Sequence, residues 1–178
     1  MTLIVCSLRR IDALIATRAP SHLITLLSPT ELIDEHPKMA AGRHLRIGVN
    51  DINEPMEGLV APDEGTVRSI LDFGAGWTAE QPMLIHCWAG ISRSSATAFI
   101  LACERNPETP EQAIADHIRA VSPIAHPNPR LVALADDALG RQGRMVDAVR
   151  AIGPGEPAYE NFPFEVPSRF GPPGASGA

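Results

Sequence analysis

Apolar positions in this chain form short continuous runs that alternate with longer stretches of helical spacing. Leu3-Ile4-Val5-Cys6, Leu23-Ile24-Thr25-Leu26-Leu27, Leu45-Arg46-Ile47-Gly48-Val49 and Met83-Leu84-Ile85-His86 are bounded by turn residues and too short for helices, so each predicts a strand. Ile11, Leu14 and Ile15 predict a helix over Ile11–Ala19, broken by Pro20-Ser21. Ser28-Pro29-Thr30 predicts a turn into a short helix near Glu31–Glu35. Pro62 suits a first helical position, with Asp63 and Glu64 in the first turn of a helix toward Phe73 or Trp77, weakened at its end by Gly74 and Gly76. A helix over Arg93–Glu104 follows the fourth strand. Thr109-Pro110-Glu111-Gln112 reads as a capping box before a helix to Val121. Asn128-Pro129 opens another helix through Leu139, stopped by Gly140, and a last one spans Met145–Ile152.

Strands separated by helices imply an α/β fold: a mostly parallel central sheet of four to five strands flanked by helices, with a helix-rich C-terminal half. Residues 1–152 make one domain. The tail, 153–178, is dense in Pro and Gly and is expected to sustain no regular element. Phe162, Phe164 and Val166 are apolar enough to pack back onto the domain, and disorder is expected from Gly171 onward.

Composition narrows the function without naming it. The chain has 178 residues, 44% hydrophobic and 20% charged, which fits a soluble globular domain with a proper core. A net charge of −6 argues against a generic nucleic-acid or anionic-membrane binder, but not against a phosphate ester held by a local cradle. Three cysteines, Cys6, Cys87 and Cys103, form no disulfide framework and fit a reducing cytoplasm. The first apolar run is too short for a signal peptide, and no stretch is long enough to span a bilayer. The six histidines have no metal-ligand spacing, so neither metal nor other cofactor is expected.

The chemistry concentrates in His86-Cys87-Trp88-Ala89-Gly90-Ile91-Ser92-Arg93-Ser94. Strand, tight loop and helix start make an anion cradle, in which backbone N–H groups and the helix N-terminus supply positive potential. A cysteine in that field is favoured as thiolate, because that is the form the amides stabilise. Arg93 offers a planar fork matched to two phosphate oxygens. Nucleophile, cradle and clamp together imply phosphoryl transfer to sulfur. Trp88, Ala89, Gly90, Ile91 and Ser92 are expected to contribute backbone N–H groups rather than side chains, with Gly90 permitting the tight curve. His86 is read as orienting the loop by hydrogen bonding. Ser94 either donates to the sulfur, easing its departure, or caps the helix.

An acid on a mobile loop is also needed to protonate the leaving oxygen. Asp51 is chosen: it follows a strand, opens a polar loop, and lies 87 − 51 = 36 positions before the nucleophile. Asp63, better explained as a helix N-terminal charge, is the rival, and Glu54 ranks third. Asn128 either caps its helix or positions water.

The pattern His-Cys, five residues, Arg-Ser resembles the signature of the cysteine-dependent protein tyrosine phosphatases. Ala89-Gly90 with Ser92-Arg93-Ser94 looks most like the dual-specificity branch, and the resemblance extends more weakly from Leu45 to Leu134. It implies a tyrosine-phosphatase-like fold and an acid just after a strand, where Asp51 stands. The implied activity is hydrolysis of phosphotyrosine esters, with phosphoserine and phosphothreonine as further candidates, through a phosphocysteine intermediate. The implied partner is a phosphorylated protein or small phosphate ester. Lipid phosphatases of this superfamily carry lysines within the loop, and none stands between Cys87 and Arg93 here. Some relatives protect an oxidised nucleophile with a second cysteine, a role open to Cys6 or Cys103, although both read as core residues. Two alternatives stand beside the phosphatase: a rhodanese-like sulfurtransferase, and a phosphate-ester binding module without turnover. Low-molecular-weight tyrosine phosphatases place their loop near the chain start, unlike Cys87 here.

Overall fold

The computed structural model describes residues 1–171. Its strands are β1 (Thr2–Ser7), β2 (His22–Leu27), β3 (His44–Gly48), β4 (Met83–Cys87) and β5 (Phe164–Pro167). Its helices are α1 (Ile11–Arg18), α2 (Glu64–Ala75), α3 (Arg93–Arg105), α4 (Glu111–Val121), α5 (Pro129–Ala138) and α6 (Arg144–Ile152). The strands form one sheet in the order β3-β2-β4-β1-β5. The first four are parallel, and β5 runs antiparallel on the β1 edge. This is the α/β architecture expected.

Alternation along the strands divides the core. Leu3 and Val5 of β1, Ile24 and Leu26 of β2, and Met83, Ile85 and Cys87 of β4 face the larger cluster, which holds residues from α2 through α6. Ile4, Cys6, Leu23 and Leu84 face the smaller one, covered by Ile11 and Ile15 of α1 with Ile33 and Met39. The two faces are therefore unequally covered. Helix α3 lies deepest: every residue from Arg93 to Cys103 is buried, behind β4 and the loop that follows it.

Several local readings are corrected. Residues near Glu31–Glu35 form no helix beyond a 3-10 turn at Pro29–Glu31. Pro62 lies outside α2: Asp63 is the N-cap, its Oδ1 accepting from the Thr66 N–H at 2.8 Å while the Thr66 hydroxyl serves the Asp63 backbone. The capping box at Thr109 does not form; Pro110 holds the cap position without a side-chain bond. The tail does contain a regular element, since β5 adds to the free edge of β1, with Leu3 opposite Val166 and Val5 opposite Phe164. Sequence periodicity misses it because a four-residue edge strand among Pro and Gly carries too short a pattern. Phe164 and Val166 are buried as expected, but Phe162 is exposed. The disorder expected past Gly171 falls outside the described residues.

Candidate active site

Cys87 ends β4, and the next five residues curl to the start of α3. The curl is fixed from outside by its carbonyls. Cys87 O faces His86 Nδ1 at 3.3 Å. Trp88 O accepts from the Leu8 N–H at 3.2 Å, and Ala89 O from the Asn161 N–H at 2.9 Å. Gly90 O accepts from the Asn161 side-chain amide at 3.1 Å. Ile91 O accepts from the His126 N–H at 2.9 Å, and Ser92 O from the Asn128 N–H at 3.3 Å. No cis peptide occurs among the described residues. In a trans plane the N–H opposes the preceding carbonyl, so outward carbonyls at 87–92 turn the amides of 88–93 inward. Gly90 marks the result: its N–H reaches Cys87 Sγ at 3.2 Å. Gly90 has φ +75°, and a Cβ there would stand 2.8 Å from Cys6 C and Ser7 N, so only glycine allows the loop to lie this close to β1.

The side chains converge on the same centre. Ser94 Oγ lies 3.2 Å from Cys87 Sγ. Arg93 is only 5% exposed; its Nη1 donates to Val49 O at 2.7 Å, while its buried Nε has no hydrogen-bond partner among the described residues. Asp51 Oδ2 lies 3.9 Å from that Nε. Asp51 Oδ1 accepts from Ser92 Oγ at 2.7 Å and from Asn128 Nδ2 at 2.8 Å. The loop carrying Asp51 is closed at its base by Asn50, whose N–H donates to Val60 O and whose Oδ1 accepts from the Val60 N–H, both at 2.8 Å. Cys87, Arg93, Asp51 and Ser94, read together from sequence, thus meet at the carboxyl ends of β3 and β4, where open parallel sheets place their sites.

The rivals are placed elsewhere. Hydrogen bonds from Thr66 hold the Asp63 carboxyl below the ordinary carboxylate range and commit it to capping. Glu54 is exposed in the loop. Asn128 caps α5, its Oδ1 accepting from the Leu131 N–H at 3.0 Å, and its Nδ2 donates to Asp51 as well. Ser92 corrects the backbone-only reading, because its hydroxyl orients Asp51 instead of capping α3. Trp88 is 53% exposed and lines a cleft of about 320 Å³ with Leu8, Arg9, Tyr159 and Glu160.

His86, Cys6 and Cys103 lie away from the reacting face. The His86 ring is on the sheet face opposite Cys87, and burial pushes its pKa down to about 4, so it is neutral at pH 7. Cys6 also faces the smaller cluster, across the sheet from Cys87. Cys103 sits nine residues beyond Ser94 on α3, roughly 13 Å along the axis at 1.5 Å per residue. Neither can bridge to Cys87 without rebuilding the core. Burial pushes both thiols well above the ordinary thiol range, which keeps them protonated.

Asn161 is the residue sequence reading missed. Its side chain donates to Gly90 O and, at 2.9 Å, to Ser122 Oγ, tying the tail to the cradle. Nothing near Asn161 announces this, because its partner lies 71 positions earlier.

Comparison with known proteins agrees with this architecture. No protein-family model matches the sequence, and no curated protein matches it. Among solved structures, human DUSP28 superposes with TM-score 0.56 and 19% identity, over 79% of this chain and 94% of that one. DUSP15 superposes with TM-score 0.53 and 20% identity, over 83% of this chain and 88% of that one. The chain has the fold of the dual-specificity phosphatases. No helix among the described residues is long and apolar enough to cross a membrane.

Proposed function

We propose that this protein is a cysteine-dependent phosphatase that hydrolyses phosphotyrosine esters, and phosphoserine and phosphothreonine esters as well, through a phosphocysteine intermediate. One observation carries the reading: a buried guanidinium with an unpartnered Nε stands beside a cysteine ringed by inward-turned amides. A buried cationic N–H without an acceptor costs folding free energy, and a phosphoryl oxygen accounts for it.

The contacts support the following steps. Cys87 Sγ, as thiolate, attacks phosphorus. The bond to the ester oxygen breaks, and that oxygen takes the proton of Asp51. Ser92 and Asn128 both occupy Oδ1, which leaves Oδ2, on the Arg93 side, to carry the proton. The Trp88–Arg93 amides and the Arg93 guanidinium hold the phosphoryl oxygens as charge spreads over them. In the second step Asp51 takes a proton from water as its oxygen attacks phosphorus. The P–S bond breaks, and the thiolate leaves with the Ser94 hydroxyl to donate to it.

The exposed Trp88 ring favours a phosphotyrosyl substrate by offering an aromatic wall at the rim. The loop interior has no lysine to match a multiply phosphorylated lipid head. The substrate is a phosphorylated protein or a small phosphate ester, and the free cysteines suit a reducing cytoplasm. The test is hydrolysis of p-nitrophenyl phosphate and of phosphotyrosyl peptides by the parent and by Cys87→Ser. Turnover lost in the variant supports the proposal. Thiosulfate-to-cyanide sulfur transfer, or phosphate-ester binding without turnover, contradicts it.

A further inference from the structure

The hydrogen bonds behind the cradle determine where each proton lies. The His36 N–H can only donate, and it meets His44 Nδ1 at 2.9 Å. Burial pushes the His44 pKa down to about 4, so its ring is neutral at pH 7 and its one proton must be on Nε2. That Nε2 lies 2.8 Å from Thr25 Oγ1, so Thr25 accepts there. The Thr25 hydroxyl then has its own proton to give, and His86 Nε2 lies 2.6 Å away. His86, also neutral, must accept at Nε2 and carry its proton on Nδ1, facing Cys87 O at 3.3 Å. The direction of the whole chain is set by one main-chain amide. The start is anchored, since the His36 ring bridges Asp12 Oδ1 at 2.8 Å and the Lys38 N–H at 3.3 Å.

We propose that Thr25 and His44 are positioning residues for the nucleophile: they fix His86 as the Nδ1–H tautomer, which holds the Cys87 carbonyl outward and so the Trp88 amide inward. The opposite tautomer sets a ring lone pair against that carbonyl. The 87–88 peptide then rotates, and one donor leaves the cradle. The relay crosses three adjacent strands, β3, β2 and β4, with Thr25 in register with His86. The effect on turnover rests on the phosphatase reading; the tautomer does not.

Two measurements test it. Long-range ¹⁵N–¹H correlation spectra of the resting full chain should show His86 protonated at Nδ1 and His44 at Nε2. His86 protonated at Nε2 overturns the inference, whatever becomes of any variant. Thr25→Val should move the His86 proton toward Nε2 and lower kcat about tenfold with KM nearly unchanged, and Thr25→Ser should restore both. A Thr25→Val protein with the parental tautomer and kcat overturns the inference while leaving the phosphatase intact. A parent with the expected tautomers but no phosphatase activity overturns the functional reading and leaves the relay standing.

Discussion

Replacing Gly90 by alanine measures how closely the cradle must lie on β1. The added Cβ meets Cys6 C and Ser7 N at 2.8 Å and Cys6 O at 3.0 Å, all main chain, so no flexible side chain can yield. The residue is also held at φ +75°, which for alanine costs about 1–2 kcal/mol. Relieving the overlap requires the loop to lift from β1, and overpacking of this kind costs about 1–3 kcal/mol more. Gly140 supplies the control: its φ is +61° but nothing lies within 4 Å of its added Cβ, so Gly140→Ala bears the conformational cost alone. Urea unfolding should therefore place Gly140→Ala about 1–2 kcal/mol below the parent and Gly90→Ala about 2–5 kcal/mol below it. A lift approaching 1 Å misplaces the amides around the phosphoryl group, so kcat of Gly90→Ala on p-nitrophenyl phosphate should fall about 10²-fold. Gly140→Ala should retain parental kcat. Equal stability losses in the two variants, with parental turnover in Gly90→Ala, would refute the close approach as a requirement of the site.

Asp51→Asn should lower kcat by about 10²–10⁴ and remove the basic limb of the pH–rate profile, whereas Asp63→Asn keeps the limb because asparagine still caps α2. A parental profile in Asp51→Asn contradicts the assignment. His44 and His86 each have a folded pKa near 4 against an ordinary 6.5, so the unfolded chain binds protons first and stability falls as pH drops from about 6.5 toward 4. His86 alone contributes on the order of 3 kcal/mol to that loss, read from urea midpoints at constant m value, and a flat profile contradicts its neutral burial. Asn161→Ala leaves the Gly90 carbonyl without its side-chain donor, which should cost about 1–3 kcal/mol and lower kcat more than it changes KM. Unchanged stability and kcat would mean that the tail does not shape the cradle.

What was legible in the sequence followed from local pattern. Strands β1 to β4 show as short aliphatic runs because both faces of a parallel sheet are buried, and the nine residues from His86 to Ser94 carry their own geometry. Asp51 could be chosen because a loop after a parallel strand opens at the site. What was not legible depends on distant partners. β5 forms because β1 has an unpaired edge, Asn161 because the loop presents two outward carbonyls, and the Ser92 side chain because Asp51 arrives from 41 positions away. The histidine relay has the same character: His36, His44, Thr25 and His86 have no common spacing and meet only when three strands are laid side by side.

The central claim, that Cys87 accepts the phosphoryl group, is tested most directly by trapping the intermediate. The parent protein incubated with p-nitrophenyl phosphate is quenched rapidly in acid, digested, and examined by mass spectrometry. The peptide containing Cys87 should carry one phosphoryl group on sulfur, which is absent from Cys87→Ser. Rapid turnover with that peptide unmodified at every quench time, or a phosphoryl group on another residue, would contradict the account.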